Sequence, residues 1–297
     1  MLGVIIGCFV AGIVLARVVP AARAWSTPLD RVVLWFLLPA LILAKLPSAH
    51  LGAEVAVPIA AAWGALLLAW LATLALGRSQ AWDRRTLGSV LMMGSFGNTS
   101  YLGLAAVEAL LGAGAVASAV AYDQLGNFVG VTVVGTIICS RWGDGDATVA
   151  GIVRKLLTFP AFDALLVTIV LRHWPLPDGA TDGLAHLGKL VGPVAMFAIG
   201  LRFRLPAARG AWRLASIDLA LKMLLMPAAV LAAGALFGDL GETAWQASVL
   251  QAGMPPMVLA GIMATEAGLD DELASFVIGA GLVLAAVTLP VLKLLVT

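Results

Sequence analysis

The sequence predicts an all-α membrane protein of ten transmembrane helices, built as two inverted five-helix repeats in which helices four and nine are broken and cross. Three observations lead there: the composition, a series of apolar stretches each the length of a span, and matching breaks in two of them. Hydrophobic residues make up 61% of the 297 and charged residues only 12%, and a soluble domain of that size needs far more polar surface. About 20 apolar residues cross roughly 30 Å of hydrocarbon, and such stretches occupy 2–20, 29–47, 55–76, 87–111, 115–140, 155–174, 184–203, 212–236, 242–268 and 272–296. The first is longer than a signal-peptide core and lacks a small-residue cleavage site, so it reads as a retained helix.

Orientation follows from the cations, because cytoplasmic loops keep Lys and Arg. Of the 18 Lys and Arg, thirteen lie after odd-numbered spans, four lie on the opposite side, and Lys222 lies inside span eight. Both termini are therefore expected outside the cytoplasm. A net charge of +1 without a basic cluster argues against nucleic acid as a partner. Cys8 and Cys139 fall inside spans, where a small apolar role is expected.

Five spans per half is an odd number, so the second half must enter the membrane from the other side. The expected division is 1–141 for the first repeat, 142–154 for a short cytoplasmic linker and 155–297 for the second. A shift of 158 residues places Gly103 on Gly261, Ala106 on Ala264, Glu108 on Glu266 and Ala109 on Ala267. Leu38-Pro39-Ala40 and Gly192-Pro193-Val194 lie 154 apart.

Span four is interrupted at Gly94-Ser95-Phe96-Gly97-Asn98-Thr99 and span nine at Gly253-Met254-Pro255-Pro256. Proline lacks an N–H and pushes the preceding residue out of helical geometry. Backbone freed at membrane depth is tolerated only where it is buried in protein or lines a cavity. Restarting half-helices aim positive dipole ends at the break, which suits an anion.

These residues carry a resemblance to a known family. Phe96-Gly97-Asn98-Thr99-Ser100-Tyr101-Leu102-Gly103-Leu104 resembles the fourth-helix motif of the auxin efflux carriers, which include plant auxin carriers and bacterial dicarboxylate carriers. Met254-Pro255-Pro256 with Ala264-Thr265-Glu266-Ala267-Gly268-Leu269-Asp270 resembles the ninth-helix motif, and Lys222 before Pro227 agrees in span eight. The resemblance implies a fold like that of the bile acid sodium symporters, with substrate at the crossing of helices four and nine. It implies a bundle of helices three, four, five, eight, nine and ten, and a scaffold of helices one, two, six and seven that mediates dimerisation. Residue by residue it places Gly97, Asn98, Thr99, Pro255 and Pro256 at the crossover, with Ser95 and Met257 beside them. A bacterial inner membrane with periplasmic termini is the implied setting. Plant carriers have proline where Gly97 stands and glutamine where Pro256 stands, which points away from auxin itself.

Ionisable residues inside spans are costly and rarely face lipid. Asp123 and Asn127 lie one turn apart and share a face; that pair suits a coupling proton or cation, or a hydrogen-bonding partner for the broken backbone. Asp218 and Lys222 have the same spacing, which suggests an intrahelical ion pair, or a Lys222 that attracts an anion. Asp163, close after Pro160, is expected near the carbonyls freed there. Glu108 and Glu266 lie near helix ends, where snorkelling to water accounts for them. No cofactor is expected beyond a coupling proton, and the expected partners are a small anion, lipid and a second copy of the chain.

Enzyme chemistry finds little footing. Tyr122-Asp123 and Gly143-Asp144-Gly145-Asp146 resemble intramembrane aspartyl protease signatures, but a catalytic pair must share a proton, and Asp123 and Asp146 stand roughly 30 Å apart along one helix and its loop. No HExxH motif occurs. Charge rings that would line a channel are missing. A sensor built on the carrier fold stays open as an alternative to a secondary transporter working by alternating access.

Overall fold

A computed structural model describes residues 2–45, 55–144, 148, 150, 153–154, 157–158, 160–171, 173–174, 176–203, 205 and 209–297. Part of the expected linker, Asp146 included, lies outside the described residues. In chain order the helices are α1 (Leu2–Val18), α2 (Pro20–Ala44), α3 (Ala56–Ser79), α4 (Arg84–Ser95), α5 (Leu104–Leu111), α6 (Val116–Trp142), α7 (Pro160–Leu171), α8 (Gly179–Arg202), α9 (Gly210–Phe237), α10 (Thr243–Ala252), α11 (Val258–Glu266) and α12 (Asp271–Val296). Among the described residues no strand forms; one isolated antiparallel bridge joins Gly97 and Pro256.

Among the described residues six helices, α2, α3, α6, α8, α9 and α12, are long and apolar enough to cross a membrane. Expected spans one and six contain the shorter apolar helices Gly7–Val18 and Phe162–Leu171. Spans four and nine are split into α4 and α5, and into α10 and α11, as their Gly, Asn and Pro residues predict. The expected loop before span two is instead helical: Pro20, with φ already fixed for a helix, starts a 3₁₀ turn that runs into α2.

The chain forms two compact units. One comprises Met1–Ala49 and Asp146–Arg204, hence α1, α2, α7 and α8; the other comprises His50–Gly145 and Leu205–Thr297, hence α3–α6 and α9–α12. Each unit takes helices from both halves of the sequence, and the partition is the one that the resemblance implies for scaffold and bundle. In the first unit α1 packs along α8, with Ala16, Ala22 and Leu201 in a small core. Arg202, counted among the loop cations, is in fact buried there and donates to Asp30, which is fully buried.

In the second unit an apolar core runs from Leu102 and Val107 through Tyr122, Met223 and Leu250 to Leu289. Its loop ends are fastened together. Arg84 donates to the Arg141 and Gly143 carbonyls, Asp144 N–H donates to Ala267 O at 2.8 Å, and Arg85 pairs with the Asp144 carboxylate at 2.8 Å. The Gly143-Asp144 pair thus ties the end of α6 to the turn after α11.

The crossover of the broken helices as candidate functional site

The two breaks meet. α4 ends at Ser95 and helix resumes with a π-turn at Thr99–Gly103; α10 ends at Ala252 and α11 begins at Val258. Between them the chains run antiparallel: Asn98 N–H donates to Pro255 O at 2.8 Å, and Met257 N–H donates to Phe96 O at 2.9 Å. Each break thus satisfies one freed backbone group of the other, as burial demands. Gly97, Pro255 and Pro256 are buried, and Asn98, Thr99, Ser95 and Met257 are at most 5% exposed.

The pairing has a register. Asn98 and Met257, which play matching parts, are 159 residues apart, whereas Gly103 and Gly261 are 158 apart in the sequence match. The difference of one residue falls on the π-turn Thr99–Gly103. A π-turn is a one-residue insertion into an α-helix, and α11 restarts without one. Both registers are therefore correct on their own side of the turn.

α6 completes break one. Gly97 N–H donates to Asn127 Oδ1 at 3.1 Å, and Asn127 Nδ2 donates to Gly97 O at 2.8 Å and to Thr99 Oγ1 at 2.9 Å. Its amide also approaches Met257 Sδ at 3.7 Å. One turn earlier, Asp123 accepts from the Thr99 hydroxyl at 2.6 Å, from Ser100 at 2.7 Å and from Gln124 Nε2 at 2.6 Å. Asn127 thus takes the structural part that the sequence left open for this pair, and Asp123 reads the two hydroxyls that start the returning helix.

Lys222 enters from α9. Its ammonium donates to Ala252 O at 2.5 Å, at the C-terminal and electronegative end of α10. A Cβ on Gly97 would lie 2.9 Å from Lys222 Cε and 3.1 Å from Nζ, so only glycine at this position leaves room for the lysine. The intrahelical ion pair expected with Asp218 is not drawn into contact: the two charges feel each other, but neither Asp218 oxygen has a hydrogen-bond partner, although the residue is fully buried. Lys222 instead reaches between helices to a carbonyl that the break sets free.

Thr99, Asp123, Asn127 and Lys222 all sit in π-turns, at Thr99–Gly103, Tyr122–Phe128 and Leu221–Leu225, a feature common at functional sites. Asp163 stands apart: it is exposed in the first turn of α7, in the other compact unit. There its charge complements the helix N-terminus; Lys155, Leu156 and Phe159, whose carbonyls precede it, lie outside the described residues. Gln251 went unnoticed in the sequence. Fully buried, it donates to Ala119 O at 3.0 Å and to Thr99 O at 3.4 Å; a polar side chain in an apolar stretch two residues before Gly253 was the available signal.

What remains unpartnered is informative. The Asn98 side chain makes no capping bond to the returning helix and has no hydrogen-bond partner among the described residues. Ser95 Oγ is buried without one. A free amide, a nearby ammonium and two helix starts form a donor-rich locus of the kind that receives an anion.

Comparison with known proteins follows this geometry. The profile of the family described as membrane transport protein matches residues 4–293. A protein of Methanothermobacter thermautotrophicus, described as an uncharacterized transporter, is 26% identical over 274 residues, covering 89% of this chain and 87% of the relative.

Proposed function

The chain belongs to the membrane transport protein family, that of the auxin efflux carriers, and from that premise we propose that it is a secondary transporter of a small organic anion bound at the crossover. The observation that carries the reading is Asn98. It is held by its own N–H bond to Pro255 O, and its side-chain amide has no partner among the described residues. A carboxylate can take that amide together with positive charge from Lys222. Transport runs by alternating access across a bacterial inner membrane, with ten spans in two inverted repeats, both termini periplasmic, and the crossover unit moving as one body in a homodimer. Asp123, bonded to the hydroxyls that open the returning helix, carries the coupling proton. Transport rather than catalysis is the activity, in keeping with the family.

The test is electrogenic current from proteoliposomes on a solid-supported membrane, challenged with malonate, malate, short monocarboxylates and an indole acid. One of these anions should give current, and Asn98→Ala should reduce it at least about tenfold, the loss of one charge-assisted bond worth about 1.5–3 kcal/mol, without loss of folded protein. Full current in Asn98→Ala would remove the site assignment. Asp123→Asn should keep exchange but lose accumulation against a gradient, and unchanged accumulation would remove that role.

A further inference from the structure

Asp218 has no part in the scheme above, yet it is the least satisfied acid in the second unit. It is fully buried in α9, eight residues after its start at Gly210, and both carboxylate oxygens lack a hydrogen-bond donor. Its Oδ1 lies 3.4 Å from where a Cβ on Gly94 would stand, in the last turn of α4, beside the unpartnered Ser95 Oγ. One turn further along α9, Lys222 spends its ammonium on Ala252 O. Residues at i and i+4 are natural ion-pair neighbours, so this arrangement leaves an available pair unmade.

Among the described residues the elements packed around Asp218 supply no other charge. α4 carries no titratable side chain between Thr86 and Ser95, α10 none at all, and α12 none between Leu273 and Leu292. α3 carries only Arg78, near its end, and Arg213, on α9 itself, is exposed. Arg84 and Arg85 are engaged at the far end of α4. Among the described residues Lys222 is thus the charged group positioned to answer Asp218.

We infer that Asp218 is a second proton-binding site, and that its protonation decides whether Lys222 holds the end of α10 or turns back to its own helix. A buried ionised carboxylate without a donor is unstable, and neutralisation or pairing is the remedy. With a proton on Asp218, the acid is neutral and the ammonium is free to hold Ala252 O, as observed. When the proton leaves, the carboxylate draws the ammonium one turn along α9, Ala252 O loses its donor, and the space beside Gly97 empties. The crossover is then clamped in the protonated state and loosened in the deprotonated one. The consequence for transport rests on the crossover reading; the protonation itself does not.

Infrared difference spectroscopy of the full chain in lipid, stepped in pH, reads this without any substrate. The expected result is the C=O stretch of a protonated carboxylic acid that disappears on alkalinisation, is missing in Asp218→Asn, shifts in Asp218→Glu and survives in Asp123→Asn. In Lys222→Met the band should persist to more alkaline pH, since no ammonium remains to replace the proton. An acid band that is unchanged in Asp218→Asn, or that vanishes in Asp123→Asn instead, overturns the inference. If the asparagine variant fails to fold, Asp218→Glu decides: an unshifted band excludes Asp218 as its source. In proteoliposomes the slope of the current with pH should flatten in Asp218→Asn, which removes one of the two proton sites; an unaltered slope also counts against the clamp. No current for any anion, together with a band that behaves as expected, would sink the anion reading and leave the proton site standing.

Discussion

The two breaks reach the same geometry by opposite chemistry. Break one keeps its N–H groups and must find partners for them, so Asn127 closes on both sides of the Gly97 peptide unit and Pro255 O accepts from Asn98. Break two removes donors instead: Pro255 and Pro256 have no N–H, and the remaining amides of Met254 and Met257 go to Gln251 O and Phe96 O. The helix beside each break differs accordingly. α6 presents Asp123 and Asn127 to the first, whereas α12 presents Gly281 to the second, where a Cβ would lie 2.8 Å from Pro256 Cδ and 3.0 Å from Pro255 Cβ. A polar break leaves side chains free to bind; a proline break supplies a stiff apolar wall. The unpartnered polar side chains, Asn98 and Ser95, therefore lie on the side of break one.

The largest expected effect of breaking this asymmetry comes from Asn127→Leu. It strips the acceptor of Gly97 N–H and a donor to Gly97 O in one step. Buried orphaned groups cost about 1–3 kcal/mol each, so a loss of about 2–6 kcal/mol is expected, read as a large fall in melting temperature of the purified protein. At break two the side-chain support is the single Lys222 bond to Ala252 O, so replacing Gln251, which contacts Thr99 O and Ala119 O but not the prolines, by leucine should cost clearly less. Equal losses would mean that the two breaks are supported alike.

Glycine substitutions give the next effect and probe what presses on each break. Gly97→Ala meets the flexible end of Lys222, which can withdraw, leaving Ala252 O without its donor at about 1–3 kcal/mol. Gly281→Ala meets two proline rings that cannot withdraw, and overpacking of about 1–3 kcal/mol follows. Similar costs from different causes are separable by a double-mutant cycle. Adding Lys222→Met to Gly97→Ala should show coupling of about 0.5–3 kcal/mol, because the two share a partner, while Lys222→Met with Gly281→Ala should be additive. Additivity in both pairs would place Lys222 away from Gly97.

Much of this was legible in the sequence because helix breaking is local. Gly97-Asn98 and Pro255-Pro256 mark the interruptions: α4 ends at Ser95, inside the first expected stretch, and α10 at Ala252, one residue before the second. The i, i+4 spacing of Asp123 and Asn127 likewise located a shared face. What was hidden is tertiary. Lys222 reads from spacing as a partner for Asp218, yet its carbonyl acceptor lies thirty residues on, at Ala252, freed only because α10 stops there. Arg202 reads as a loop cation until its pairing with Asp30 across 172 residues is seen. Asp163 beside Pro160 suggested a kink site; it stands in the first turn of the helix that begins at Pro160, and Phe159 lies outside the described residues. The π-turn that shifts the repeat register leaves no composition signal of its own.

The smallest effect tests whether the asymmetry extends to the far ends of the half-helices that lead into the breaks. α4 starts with Asp83, whose carboxylate accepts from Arg85 N–H, Thr86 N–H and the Thr86 hydroxyl. α10 starts after Glu242, which makes no side-chain cap. Asp83→Ala should cost about 1 kcal/mol, the usual value of an N-cap, and Glu242→Ala close to nothing. The Thr86 backbone and hydroxyl bonds, then the Arg85 amide, hold the Asp83 acid below its ordinary value. Its contribution is therefore complete above the ordinary carboxylate range and lost as pH falls through the lowered value. Because Asp83 is exposed, the change should be a shallow acid-side decline in melting temperature that is missing in Asp83→Ala and retained in Glu242→Ala. A decline that survives in Asp83→Ala would assign the acid sensitivity to the buried carboxylates of the crossover unit instead.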